Sequence, residues 1–128
     1  MSTRSTTKFI DETGECMVCM YRQTDGSPSD HGKELAEFLS GIRRIGGKGP
    51  VGTANGIRCL AAQAVAHFKT EPGRVYLVPA DQEEEWNYVV AETSNGDWML
   101  RVRQEDEDID YFFGTPQEFL DMLEKDNG

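Results

Sequence analysis

A chain of 128 residues with 13 Lys/Arg against 23 Asp/Glu carries a net charge of −10, and a chain this long buries roughly two thirds of its unfolded surface without needing a disulfide. The charge disfavours long polyanions such as DNA and anionic membranes, and no apolar run approaches the eighteen or so residues of a membrane span. The polar opening, Met1-Ser2-Thr3-Arg4-Ser5, and an odd count of three cysteines point to a cytosolic protein of one domain, residues 1–128. The charge is uneven: residues 1–80 carry ten Lys/Arg and eight Asp/Glu, a net of +2, whereas residues 81–128 carry three and fifteen, a net of −12.

In chain order, Thr6 to Asp11 reads as a strand, Glu12-Thr13-Gly14 as a turn and Glu15 to Arg22 as a second strand, apolar on both faces and so expected inside a sheet. Cys16 and Cys19 fall three apart within it, which along a regular strand points them to opposite faces and argues against a shared metal or a redox pair. Asp25-Gly26 and Ser27-Pro28 mark a loop. Leu35, Phe38, Leu39 and Ile42 recur at helical spacing with Glu34 and Glu37 outside, which predicts an amphipathic helix over Lys33–Ile42.

A glycine-dense loop over residues 46–52 leads to a second helix ending near Lys69, with Thr53 or Asn55 as its cap and Ile57, Leu60, Ala61, Ala64 and Phe68 as its buried stripe. Gly47, Gly49 and Gly52 match the G-x-G-x-x-G spacing, but they follow a helix rather than a strand, and Gly49 stands where a P-loop needs Ser or Thr after Lys48. Two readings stay open: a phosphate cradle at a helix N-terminus, or a loop that is simply mobile.

Arg74 to Val78 reads as a third long strand. Two runs around Asn95-Gly96 then read as a hairpin with a two-residue turn, and Tyr111 to Phe113 as a short further strand. A two-residue turn places Ser94 opposite Asp97, and then Thr93 opposite Trp98, Ala91 opposite Leu100 and Val89 opposite Val102, the last three pairs making one almost wholly apolar face. The other face then collects Trp86, Tyr88, Val90 and Glu92 with Met99, Arg101 and Arg103, and Tyr88 falls opposite Arg103. Rings beside guanidinium groups can stack a base and pair a phosphate, so this face is a candidate nucleotide site; the alternative is a face packed under another element or subunit, with arginine stems over the rings.

Thr115-Pro116-Gln117-Glu118 is a helix start, and Phe119, Met122 and Leu123 make a last amphipathic helix. The order predicts an α+β fold, a mostly antiparallel sheet of about five to six strands with two central helices and one C-terminal helix. The acidic stretches Asp81 to Glu85 and Glu105 to Asp110 read as solvated loops rather than cation sites. His31 and His67 are the only histidines, and the eight residues between Cys59 and His67 leave them two turns apart; no nucleophile pair, metal set or acid–base pair emerges, so the expectation is a protein that binds rather than catalyses, with no cofactor.

Ser2-Thr3-Arg4-Ser5-Thr6, Tyr21-Arg22-Gln23 with Asp25-Gly26, His31-Gly32-Lys33-Glu34-Leu35, and Ala54-Asn55-Gly56 followed by Cys59-Leu60-Ala61-Ala62-Gln63 resemble phage proteins of the Thoeris anti-defence protein 1 type, over roughly residues 2–102. The resemblance implies a sponge in the host cytoplasm. Such proteins bind, without cleaving, glyco-cyclic ADP-ribose made by bacterial Thoeris defence, and some hold cyclic di- or trinucleotides, in homo-oligomers built from dimers, up to a hexamer. It further implies that Arg22 and the segment from Gly52 and Thr53 through Asn55 to Arg58 belong to a nucleotide-contacting region, with Trp86, Tyr88, Arg101 and Arg103 in another. The sequence departs from that pattern at Thr24, where an aromatic residue is usual, and at Ser27-Pro28-Ser29. Two other function classes compete: an acidic inhibitor that mimics nucleic acid and binds a host defence protein through residues 81–128, and a phosphodiesterase- or cyclase-like enzyme.

Overall fold

A computed structural model describes residues 3–127; Met1 and Ser2, which open the polar N-terminal stretch, lie outside the described residues, as does Gly128. Strands β1 (Ser5–Ile10) and β2 (Cys16–Arg22) form an antiparallel hairpin. Its turn is held by the Asp11 carboxylate, which accepts from Thr13 N–H, the Thr13 hydroxyl and Glu15 N–H at 2.6–3.0 Å. Those donors hold the Asp11 carboxyl below the usual carboxylate range, the Thr13 hydroxyl contributing most.

Helices α1 (Lys33–Ser40) and α2 (Ile57–Phe68) follow, separated by a two-residue parallel ladder of β3 (Arg43–Arg44) with β4 (Thr53–Ala54). Next come β5 (Val75–Leu77), the hairpin of β6 (Trp86–Glu92) and β7 (Trp98–Gln104), β8 (Phe112–Gly114) and α3 (Pro116–Asn127). The fold is α+β: a six-stranded, mostly antiparallel sheet in the order β5-β2-β1-β6-β7-β8, with two central helices and one C-terminal helix. One pair departs from the antiparallel pattern, because β1 and β6 run parallel, Ser5 beside Trp86 and Phe9 beside Val90.

The helices bury their apolar stripes on one face of the sheet. Leu35, Ala36 and Leu39 of α1, Ile57, Leu60, Ala61 and Ala64 of α2, and Phe119 and Leu123 of α3 join Phe9, Met20, Tyr88, Val90, Leu100 and Val102 in one cluster. Each large apolar side chain so buried contributes roughly 1.5–3 kcal/mol, most of it consumed by chain entropy. The start of α3 is as the sequence predicts: Glu118 N–H donates to the Thr115 hydroxyl at 3.1 Å while Thr115 N–H donates to the Glu118 carboxylate at 2.8 Å.

Four expectations are corrected. The strand over Arg74–Val78 is only three residues long and lies on the sheet edge. Neither Thr53 nor Asn55 caps α2; Gly56 does, at φ 145°, a backbone that a side chain rarely adopts. Cys16 and Cys19 do not sit on opposite faces: a bulge at Met17 sets Cys16 beside Ile10 and Cys19 beside Lys8, and Ile10 and Lys8 share a face of β1. At about 3.3 Å per residue they still stand too far apart to bridge, and burial raises the Cys19 thiol to about 11.

The fourth correction concerns the hairpin. Its loop has three residues, Ser94-Asn95-Gly96, with Gly96 N–H donating to Thr93 C=O and Thr93 N–H to Asp97 C=O, and Gly96 at φ 83°. Tyr88 therefore stands opposite Val102, Val89 opposite Arg101 and Asn87 opposite Arg103. The one-residue shift exchanges the faces of one strand relative to the other, so Trp86, Tyr88, Val90 and Glu92 share the helix-covered face with Trp98, Leu100 and Val102. Arg101 and Arg103 point to the opposite face.

Candidate functional site

The predicted site residues fall in three places. Arg22 lies under the helices, 6% exposed, where Nε donates to Thr24 C=O at 2.8 Å and Nη1 to Glu34 at 2.5 Å and His31 Nδ1 at 3.1 Å. Arginine stays protonated, so His31 Nδ1 is the acceptor and the neutral ring donates from Nε2 to the Thr7 hydroxyl at 2.8 Å. Burial, aided by the Arg22 charge, lowers the His31 pKa to about 3. Tyr88 has no exposed surface, stands edge-on to His31, and donates its hydroxyl to Gly26 C=O at 2.7 Å. Its ring is core and is unavailable for stacking a base, because the β6–β7 register turns it toward the helices. Trp86 is half-buried, edge-on to Tyr111 with ring centroids 5.0 Å apart.

The second place is the outer sheet face. Arg101 and Arg103 reach the Asp110 carboxylate at 3.2 and 3.5 Å, and the Arg101 guanidinium lies 4.8 Å from the centre of the exposed Phe113 ring. Phe113 is the cross-strand partner of Arg101. Sequence reasoning missed it because the short strand over Tyr111–Phe113 carries no turn signal that fixes its pairing with β7. Beside them Ile10, Val89, Ala91 and Met99 line a shallow apolar cavity of about 220 Å³ that no helix covers.

Third, the glycine loop forms one wall of a cleft of about 440 Å³, lined by Lys48, Val51, Thr53, Asn55, Cys59 and Gln63 among others. Gly47, Gly52 and Gly56 all have positive φ, which lets the chain double back from β3 to β4 and into α2. The Asn55 side chain donates to Gly47 C=O at 2.9 Å, the Thr53 hydroxyl to Pro50 C=O at 2.7 Å, and Gln63 Nε2 to Thr53 C=O at 2.9 Å. Thr53 and Asn55 thus brace the loop instead of capping the helix. Among the described residues no side chain caps α2, so its start keeps uncapped amides and the positive end of the helix dipole. Arg58, in the first turn, is largely exposed, touching Asp11 only at 3.5 Å.

Thr53 and Asn55 are therefore brought together with Lys48 in one cleft; Arg58 stands in the first turn of α2 outside its lining, turned to Asp11; Arg101 and Arg103 form a separate pair, and Arg22, Trp86 and Tyr88 join neither. Among the described residues no three His, Cys, Asp or Glu side chains converge as a metal site, and no helix is long and apolar enough to cross a membrane. Fold and site define an α+β domain with a glycine-walled cleft at a helix N-terminus. No protein-family model, curated protein or solved structure matches this chain.

Proposed function

We propose that this chain is a phage anti-defence sponge of the Thoeris anti-defence protein 1 type: it binds a cyclic nucleotide immune signal in the host cytoplasm, glyco-cyclic ADP-ribose or a related cyclic di- or trinucleotide, and sequesters it uncleaved. The observation that carries the reading is the cleft between the glycine loop and the uncapped start of α2. Its volume of about 440 Å³ suits a small molecule. Lys48 and the positive end of α2 offer positive charge to phosphates, Arg58 of the first turn is near enough to join them by leaving Asp11, and Asn55 and Thr53 hold the loop in place. The negative remainder of the surface works against longer nucleic acids. The open apolar sheet face gives a homo-oligomer, built from dimers, a surface on which to form.

The test incubates the purified protein with glyco-cyclic ADP-ribose and with cyclic di- and trinucleotides, removes unbound ligand, heats the complex and weighs what is released. The expected result is unchanged ligand. Lys48→Ala and Arg58→Ala should each weaken binding about 10- to 100-fold, the loss of one charge-assisted contact worth roughly 1.5–3 kcal/mol, with an unaltered circular dichroism spectrum. A hydrolysed product moves the protein to the enzymes. Indifference to every nucleotide, with a salt-sensitive complex with a basic host protein, moves it to the acidic inhibitors.

A further inference from the structure

At the carboxyl end of α2, eleven residues beyond its start and so about 16 Å away along the helix, Arg22, Glu34, His67, Phe68, Thr70 and Arg74 line a second cavity of about 350 Å³. It shares no lining residue with the glycine-loop cleft. Three observations set it apart from an ordinary surface hollow.

The first is Arg22 itself. Its side chain is 7% exposed, and its hydrogen bonds leave from Nε and Nη1 to Thr24, His31 and Glu34. Nη2 donates to nothing among the described residues, yet the residue lines the cavity. A guanidinium more than nine-tenths buried thus keeps one nitrogen unengaged beside an open space, where an acceptor would complete it. The second is Arg74, which holds φ at 66° although it is not glycine, and which brings another guanidinium to the same wall. That left-handed backbone is unfavourable for an arginine, and it is secured on both sides, by Gln23 N–H donating to Arg74 C=O at 2.9 Å and by Lys69 Nζ donating to the flanking Gly73 and Val75 carbonyls.

The third is the kind of counter-charge present. Glu34 and Asp25, the partners of Arg22 and Arg74, are both more than half exposed, so each carboxylate can swing into water. Arg22 cannot follow them. Its charge is fixed in the wall and outweighs the partial negative charge at the end of α2. Thr70 and His67 add further hydrogen-bonding side chains to the lining.

We propose that this cavity is a second binding site, for the phosphate group of a small phosphorylated metabolite, with Arg22 Nη2 and Arg74 as its charged contacts and Glu34 as the internal group that the phosphate displaces. A tetrahedral anion suits donors that converge from several walls, and the volume leaves room for an organic substituent. The inference does not rest on the glycine-loop reading, since the two sites have separate residues.

The test uses inorganic phosphate, with acetate as the planar comparison, titrated into the intact protein while backbone amide resonances are followed. Saturable shifts are expected at His67, Thr70 and Arg74, several-fold stronger for phosphate than for acetate. Arg74→Gln should weaken phosphate binding at least tenfold. Glu34→Gln, which removes the internal competitor, should tighten it several-fold. The proposal fails if no saturable shift appears there, if acetate binds as well as phosphate, if Arg74→Gln binds like the parent, or if Glu34→Gln leaves affinity unchanged or lowers it. Neither variant requires changing the buried Arg22.

Discussion

Burial of the His31 ring makes its protonation costly, and the contact between Arg22 Nη1 and His31 Nδ1 adds to the cost, because a second cation would face a guanidinium inside the core. In the unfolded chain the same ring takes a proton near pH 6.5, whereas in the folded protein it waits until about pH 3. Between those values the unfolded state binds the extra proton, so stability is intact above pH 6.5 and falls as the pH drops. Urea unfolding at pH 7 and pH 5 should differ by about 2 kcal/mol from this group alone, at roughly 1.4 kcal/mol per pH unit below pH 6.5. His31→Gln should flatten that part of the dependence; an equally steep fall in the variant would assign it to carboxylates elsewhere. Tyr88→Phe provides a second check. It leaves the buried Gly26 carbonyl without its donor and should cost about 1–3 kcal/mol, while affinity for a nucleotide stays unchanged. Reduced affinity without reduced stability would put the Tyr88 ring back in a ligand site.

At the scale of single elements, the start of α3 and the hairpin show where sequence reasoning succeeded and where it did not. Thr115, Pro116 and Glu118 act on one another within four residues, so nothing distant could override them, and Thr115→Ala should lower stability by about 1 kcal/mol in thermal unfolding. Asn95-Gly96 is equally local, but the pair serves both a two-residue turn and a three-residue loop with Gly in the left-handed position. Choosing between them needs the burial of Tyr88 and Trp98, whose hydrogen-bond acceptors, the Gly26 and Ile42 carbonyls, lie 62 and 56 residues away in sequence. That single residue of register decided the candidate site: the strand limits were readable, but the grouping of Trp86 and Tyr88 with Arg101 and Arg103 was not. The glycine loop is legible for its phosphate-binding potential, yet the bracing roles of Asn55 and Thr53 are not, since both residues also suit a helix cap and only the path of the loop brings the Gly47 and Pro50 carbonyls to them. Likewise nothing local to Arg22 signals its burial, which comes from His31 and from Glu34 of α1.

Across the whole molecule, helices cover one side of the sheet and the other side is only partly shielded. The loop before β6 screens one part, with Asn87 Oδ1 accepting from the Thr6 hydroxyl and Glu84 N–H, and Lys8 pairing with Glu83. Beyond it, Ile10, Val89, Ala91, Met99 and Phe113 remain open. If the proposed assembly forms there, Phe113→Glu should reduce the subunit number seen by native mass spectrometry and leave the monomer's thermal unfolding within about 0.5 kcal/mol, because the ring is already exposed. An unchanged assembly would place the subunit contact elsewhere.

The parallel pairing of β1 with β6 has a consequence for synthesis. Ser5 and Trp86 are neighbours in space, yet a ribosome must add the intervening eighty-odd residues before they can meet. Until then the nascent N-terminal hairpin, with α1 and α2 packed on it, presents a bare strand edge in the centre of the future sheet. Closure of so long a loop is slow compared with helix formation, so the newly made chain passes through a vulnerable interval in which chaperones, proteases or other copies compete for β1.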